Sequence, residues 1–292
     1  MPDTGAMVRA MKNQLQNIDY CRQQAREHDP ERYYISLLAS ANKRPGIWAL
    51  IAFNQEVSKT RAVVSEAMLG EIRLQWWREA LEGIAAGTPR AHPVVEALAH
   101  EIHDFLAIRR HLDAIIDTWS DDFGGEQVTL ASIRKHADGT GGVLNAAMLL
   151  ILNADAGASQ LDLAQAAGRA WSLMGTVRAL PHELATPSSD WQSLLSDAAG
   201  RPAQQAENMV SAVLPTVRKL LASLESDIAN LRDALPDARR DAALRTVLGL
   251  VPLTELELRA AKRVGDDLMS LDERLPGNAR KLLALMKYQF WG

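Results

Sequence analysis

The sequence predicts an all-α protein, on three observations. Ala, Leu, Glu, Arg and Gln dominate its 292 residues, and these are strong helix formers. Apolar residues recur at three- and four-residue spacing along most of the chain, the period that lines one face of a helix. Clusters of β-branched residues in strict alternation, the mark of half-buried strands, are absent.

The elements follow in order. Over 45–86 the apolar residues Trp48, Ile51 and Ala52, then Ile72, Trp76, Ala80 and Ile84, keep the helical spacing. Gly87-Thr-Pro-Arg-Ala-His-Pro93 reads as a turn, with Pro93 suited to the first turn of the next helix. That helix is expected to run to about Phe105, and another to cover 111–119. Asp121-Asp-Phe-Gly-Gly125 marks a break, after which Thr129 is a candidate cap for a helix through Ile133 and His136. Gly139, Gly141 and Gly142 interrupt the pattern before an apolar stretch at 143–152. A long helix at 161–180 is expected to stop at Pro181, and Pro187-Ser-Ser-Asp190 is the clearest internal loop. Helices follow at 203–223, at 224–232 (merging toward the first) and at 241–261, and the last begins near Asn278. No internal repeat or low-complexity segment appears. The expectation is one domain spanning 1–292.

Composition narrows the function. A net charge of −4 with pI near 6.0 gives no broad electropositive surface, so nucleic-acid binding is not expected. The single Cys21 excludes an intramolecular disulfide and a Cys-based zinc site. A reduced, cytoplasmic setting fits. Residues 1–14 carry charges but no apolar core, so no secretory signal is expected. No run approaches 18 apolar residues, and 143–152 is interrupted by Asn145; no transmembrane helix is expected, although contact with a membrane surface stays open.

Several segments, taken in order, resemble a known family. They are Tyr33-Tyr34-Ile-Ser-Leu-Leu, Lys43-Arg-Pro-Gly-Ile-Trp-Ala-Leu-Ile-Ala-Phe53, Leu74-Gln-Trp-Trp-Arg-Glu-Ala-Leu81 with the turn to Pro93, Asp138-Gly-Thr-Gly-Gly142, and Gly168-Arg-Ala-Trp-Ser-Leu-Met-Gly-Thr-Val-Arg178. This series is similar to the squalene/phytoene synthase family, most clearly over 30–190. The resemblance implies an isoprenoid-synthase bundle of helices around a central, largely apolar cavity. Enzymes of that family use two DxxxD motifs. Residues four apart share a helix face, so each motif aims two oxygen ligands at magnesium, which neutralises a leaving diphosphate.

Here the first motif falls on Ser58 and Ala62, with Lys59 beside them. The second falls on Ala179 and Glu183, with Pro181 between. One carboxylate remains of four, so no catalytic residue and no metal ligand is assigned. Lys59 and Arg61 could offset a diphosphate's charge, but basic side chains do not hold a metal cluster.

The departures also form a pattern. Phe53, Asn54 and Glu56, then Val64, Ser65, Glu66, Gly70, Arg73, Gln75 and Trp77, and later Arg178-Ala-Leu-Pro181-His182, resemble the branch of the family that assists assembly of respiratory complex I. That resemblance implies a protein partner, a complex I subunit or intermediate. Tyr34, Phe53, Asn54, Glu56, Arg73, Trp77, Gly142, Arg178 and His182 become the candidate pocket or binding residues. Two other readings stand beside it. One is an active prenyltransferase, with magnesium as cofactor, acting on farnesyl or geranylgeranyl diphosphate; the other is a carrier of an isoprenoid or lipid.

The remaining constellations have plainer readings. Asp113, Asp117 and Asp121 make a carboxylate stripe at four-residue spacing, read first as a solvated helix face and second as metal ligands. Asp266-Asp267 reads the same way. His100 and His103 lack a third partner for zinc, and His182 reads as a capping or hydrogen-bonding side chain. G-x-S-x-G, Walker A and strand-borne GxGxxG patterns are absent, which removes hydrolase, P-loop and Rossmann readings. Trp76-Trp77 suggests one ring in the core and one at its boundary. The last helix combines Arg280, Lys281 and Lys287 with Leu, Met, Phe and Trp. It suits either an interfacial anchor or docking through Leu282, Leu285, Met286 and Phe290.

Overall fold

Capping chemistry sets where the helices begin. The computed structural model describes residues 4–63, 67–124, 128–185, 202–238 and 240–291. α1 (Thr4–His28) is followed at once by α2 (Pro30–Ser36), where the Asp29 carboxylate accepts from Arg32 N and Pro30 takes the first turn. α3 (Arg44–Val63) and α4 (Ala67–Ala85) come next. His92 Nδ1 accepts from Val94 N at the start of α5 (Pro93–Glu101), and Asp104 caps α6 (Phe105–Asp121). A 3₁₀ turn covers Asp122–Gly124. At α7 (Leu130–Ala137), Thr129 and Ser132 form a reciprocal capping box, so the expected Thr129 cap is present.

Several boundaries differ from the sequence reading. The helical spacing over 45–86 is carried by α3 and α4, while the next boundaries shift. Phe105 opens α6 instead of closing α5, because Asp104 accepts from Ala107 N at that point. Gly139, Gly141 and Gly142 do not break the chain: Asp138–Gly142 is a π-helical turn running from α7 straight into α8 (Val143–Leu152). Pro181 does not end α9 (Ala158–Ala185); it lies buried inside it. A proline removes one backbone hydrogen bond, and the packing of Leu180 and Leu184 on either side keeps the helix going. The segments at 203–223 and 224–232 are one helix, α10 (Pro202–Ala238), with Pro215 inside it. The stretch at 241–261 is instead two helices, α11 (Ala242–Val247), capped by Asp241, and α12 (Leu250–Val264). A 3₁₀ turn at Leu268–Ser270, α13 (Leu271–Arg274) and α14 (Asn278–Trp291) complete the order. The proposed loop at 187–190, Val64, Ser65 and Glu66 lie outside the described residues.

The centre of the bundle is the α8–α9 pair. All of α8 from Leu144 to Ile151 is buried, including Asn145, whose Nδ2 donates to Ala164 O at 2.7 Å. The π-turn meets α9 backbone to backbone: a Cβ on Gly168 would lie 2.1 Å from Gly141 O. Around this pair α3, α6, α10 and α12 bury Phe53, Leu112, Ile116, Leu224 and Leu253, and the buried apolar residues from Cys21 to Tyr288 form one contiguous cluster.

α14 corrects the docking face expected for the last helix. Leu285 is buried, but Leu282, Met286 and Phe290 are exposed, and Lys281 and Tyr288 turn inward instead. Positions 281, 285 and 288 share one helix face. The lysine is tolerated there because carboxylates meet it.

Candidate functional site

α2, α3, α6, α7, the π-turn and α9 enclose a cavity of about 780 Å³. Ser58 projects into it from α3, with Oγ donating to Gln55 O at 3.0 Å. Ala179 and Glu183 project into it from α9. The two motif positions therefore face one space. Ala62 lies near the end of α3, and its side chain is outside the described residues. Lys59 points away from the cavity, toward Gln24 (3.0 Å) and Glu56 (3.3 Å) between α1 and α3.

Of the candidate pocket residues, Asn54 and Arg178 line the cavity. The others do not. Phe53 and Trp77 are buried against each other, ring centroids 5.4 Å apart, while Trp76 stays half-buried at the core boundary. Glu56 faces α1 and the Tyr20 hydroxyl. Tyr34 packs edge-on against Tyr33, Arg73 is exposed on α4, and Gly142 is buried against Gln165 of α9. His182 is exposed on α9.

The cavity is expected to be largely apolar; its lining is instead mixed. Trp119, Val128, Ile133, Leu144 and Trp171 contribute apolar surface, but most of the remaining lining is polar or charged. The cause is rotational. α7 and the Asp121–Asp122 corner turn Lys135, His136 and both aspartates inward, while the apolar faces of α8 and α9 are used against each other. Three buried atoms on the wall, Asn54 Oδ1, Arg32 Nε and Trp119 Nε1, lack a hydrogen-bond partner among the described residues. Water or a small polar ligand would satisfy them.

Charge in the cavity is balanced within the chain. Arg32, Arg61, Lys135 and Arg178 face it together with Asp29, Glu31, Asp121, Asp122 and Glu183. Arg32 pairs with Asp29 (2.8 Å), Lys135 with Asp121 (3.0 Å), and His136 with Asp122 (3.1 Å), while Arg61 donates to the Asp122 carbonyl (2.7 Å). Arg178 lies 4.0 Å over the Trp171 ring and donates to Glu257, whose side chain is fully buried, at 2.5 Å.

Behind this wall, Lys281 of α14 donates to Glu31 Oε1 (2.5 Å) and lies 2.8 Å from Glu257 Oε1, a contact bent away from hydrogen-bond geometry. Burial opposes the Lys281 charge, but the two carboxylates outweigh it and raise its pKa above the ordinary lysine value. Sequence reasoning missed this cluster. Glu257 sits at a core position of α12 and was the available signal; Lys281 looked like one more basic residue on an amphipathic helix.

The donor set does not fit a magnesium cluster held by two carboxylate pairs. Glu183 stands alone at its motif, Ser58 replaces a ligand opposite, and most of the other carboxylates already face cations. Among the described residues no group of three or more His, Cys, Asp or Glu side chains is placed to hold a metal ion. The α6 stripe is likewise spent on ion pairs: Asp113 with Arg109, Asp117 with Arg78 and Asp121 with Lys135.

Comparison with known proteins adds to this geometry. The family model for squalene/phytoene synthase matches residues 25–281. NADH dehydrogenase (ubiquinone) complex I, assembly factor 6 from Homo sapiens is 29% identical over 169 residues, covering 56% of this chain and 49% of that protein. The Bos taurus protein of the same name gives the same figures. The chain thus spans about half the length of these curated relatives. Among solved structures, a dehydrosqualene synthase in complex with ligand superposes with a TM-score of 0.71 at 13% identity, covering 96% of this chain and 98% of that one. Squalene synthase HpnC from Alicyclobacillus acidocaldarius gives 0.65 at 15% identity, over 86% and 94%. These likenesses show the fold, the all-α isoprenoid-synthase bundle.

Proposed function

The chain belongs to the squalene/phytoene synthase family, and from that premise we propose that it is a non-catalytic member serving as a binding or assembly protein for respiratory complex I, the NADH dehydrogenase. One observation carries the reading: Ser58 and Ala179 face the same cavity, where paired carboxylates would have to converge. A diphosphate entering it would meet no facing pair of carboxylates at the two motif positions to hold magnesium, and Arg178 is already held by Glu257. The likeness to assembly factor 6 supplies the partner. Deleting the gene and resolving assembled NADH dehydrogenase on native gels tests the proposal. A normal level of the complex would sink it.

The enzyme alternative has its own test. Purified protein with magnesium and farnesyl or geranylgeranyl diphosphate is expected to release no diphosphate above background; EDTA-sensitive release would overturn the non-catalytic reading. An isoprenoid or lipid carrier would have to bury its chain against a lining that mixes Trp119, Ile133, Leu144 and Trp171 with charged side chains, and lipid co-purifying in native mass spectrometry would favour it.

We also place the protein in the cytoplasm at a membrane surface. No helix among the described residues is long and apolar enough to cross a membrane. α14 instead exposes Leu282, Leu283, Met286 and Phe290 beside Arg280 and Lys287, with no acidic residue in the helix. Flotation with phosphatidylglycerol vesicles, lost in Phe290→Ser, is the expected result.

A further inference from the structure

α14 meets the bundle along a single row of side chains. From Asn278 to Phe290, Lys281, Leu285 and Tyr288 are buried, and only Ala284 and Gln289 beside them are half-buried. Leu285 packs at Gly249, where an added Cβ would come 3.4 Å from Leu285 Cδ2, and the Tyr288 hydroxyl donates to Arg245 O at 3.1 Å. A Cβ on Gly277, just before the helix, would meet nothing within 4 Å. An element held by so little apolar contact opens locally at lower cost than the core. The charged end of the row therefore carries much of the hold on α14.

The surroundings of Lys281 have the chemistry of an ammonium site. Its Nζ donates to Glu31 Oε1 at 2.5 Å, lies 2.8 Å from Glu257 Oε1, and stands 5.9 Å from the centroid of the Trp171 ring. Carboxylates and an indole face each attract a cation. Glu31 and Trp171 also line the cavity, whereas Lys281 reaches them from behind its wall. The two carboxylates do not depend on Lys281 equally. Glu257 keeps Arg178 at 2.5 Å without any help from α14, but among the described residues Lys281 is the cation paired with Glu31. Lifting α14 would leave Glu31 as a bare carboxylate on the cavity wall.

We propose that Lys281 is the built-in occupant of an ammonium-binding site on that wall, and that a ligand carrying a primary ammonium group enters the cavity, takes Glu31 and releases α14. Occupancy of the cavity is then reported on the outer surface, because the freed helix adds Leu285 and Tyr288 to the already exposed Leu282, Leu283, Met286 and Phe290. A primary ammonium matches Lys281 in charge and in its donors, while a guanidinium is a wider, planar group. The linkage is reciprocal, so whatever holds α14 down weakens binding of the amine by the same factor. Neither a complex I partner nor a membrane is needed for this exchange.

Hydrogen exchange of the full chain, read on peptides covering 278–290, tests this with cadaverine, a diamine whose ends match a lysine side chain. Cadaverine is expected to speed exchange in α14 about fivefold or more while peptides of α8 stay unchanged. Pentanediol, which lacks the charge, and sodium chloride at the same ionic strength are expected to do nothing. Glu31→Gln is expected to abolish the response to cadaverine, whatever it does to the resting rate; an ion pair with a purely structural role would show no such response to lose. Lys281→Ala empties the site, and n-butylammonium, unlike butanol, is expected to restore part of the lost melting temperature. Where that variant does not fold, exchange in the wild type decides. No response to cadaverine, an equal response to salt, a response that survives Glu31→Gln, or a folded Lys281→Ala that the amine does not rescue would overturn the proposal.

Discussion

Lys281 Nζ lies 2.5 Å from Glu31 Oε1, joining α14 to α2 across 250 positions of sequence. Both side chains are about one-tenth exposed, and Glu257, fully buried, closes the cluster from α12. The contact fixes the rotation of α14 and backs the cavity wall that carries Arg178.

Lys281→Met is therefore expected to destabilise the protein by about 3–5 kcal/mol, because it leaves two buried carboxylates with one cation fewer. Lys287→Met, on the exposed side of the same helix, is expected to change stability by less than about 0.5 kcal/mol. Urea unfolding of the two variants beside wild type checks the difference.

This residue also marks the limit of what the sequence reveals. The all-α class was legible because helical spacing repeats along the chain, and the convergence of 58, 179 and 183 on one cavity was implied by the family resemblance that aligns them with the two Asp motifs. Which way Lys281 points was not legible. A lysine on an amphipathic helix reads as solvated unless its partners, far away in sequence, are known. Pro181 misled for a related reason: one missing backbone bond argues for a helix end, and only the packing around Leu180 and Leu184 shows that α9 continues. The polarity of the cavity depends on how each helix is rotated, which periodicity fixes only roughly.

Gly168→Ala is expected to cost about 1–3 kcal/mol or more, since its Cβ would lie 2.1 Å from Gly141 O and 2.5 Å from Asn145 Cβ. Backbone cannot yield there without parting the π-turn from α9. Gly277→Ala, which meets nothing within 4 Å, is expected to be near neutral. Thermal melts of the two variants decide it.

Acid is expected to weaken the fold through two histidines. Burial pushes His92 below the ordinary imidazole value, against the pull of Glu56 and Glu96, and burial with help from Arg110 does the same to His111. A lowered folded-state value means the unfolded chain binds the proton more readily. Their contribution is complete above about pH 6.5 and declines as pH falls through 6.5 toward the folded-state values. Protonating His92 Nδ1 would also remove the acceptor for Val94 N. Urea midpoints at pH 7.5 and 5.5 are expected to differ in that direction. His92→Asn, which keeps a capping side chain, is expected to flatten part of the slope.

Cys21 is expected to resist alkylation in the native state. Its side chain is fully buried, and burial, with the Glu101 charge, pushes the thiol up to about 12. At pH 8 little thiolate exists and none is accessible. Iodoacetamide labelling followed by mass spectrometry should show modification only after denaturant is added.

The internal pairing of the cavity bears on how this sequence can change. A carboxylate added at 58 or 179 enters a space whose cations already have partners. Each such step brings repulsion at once and no bound cation until the whole set is present. Arg178 and Lys281 thus keep their charges matched to Glu257 within the chain, and a single carboxylate added at 58 or 179 gains no cation from them.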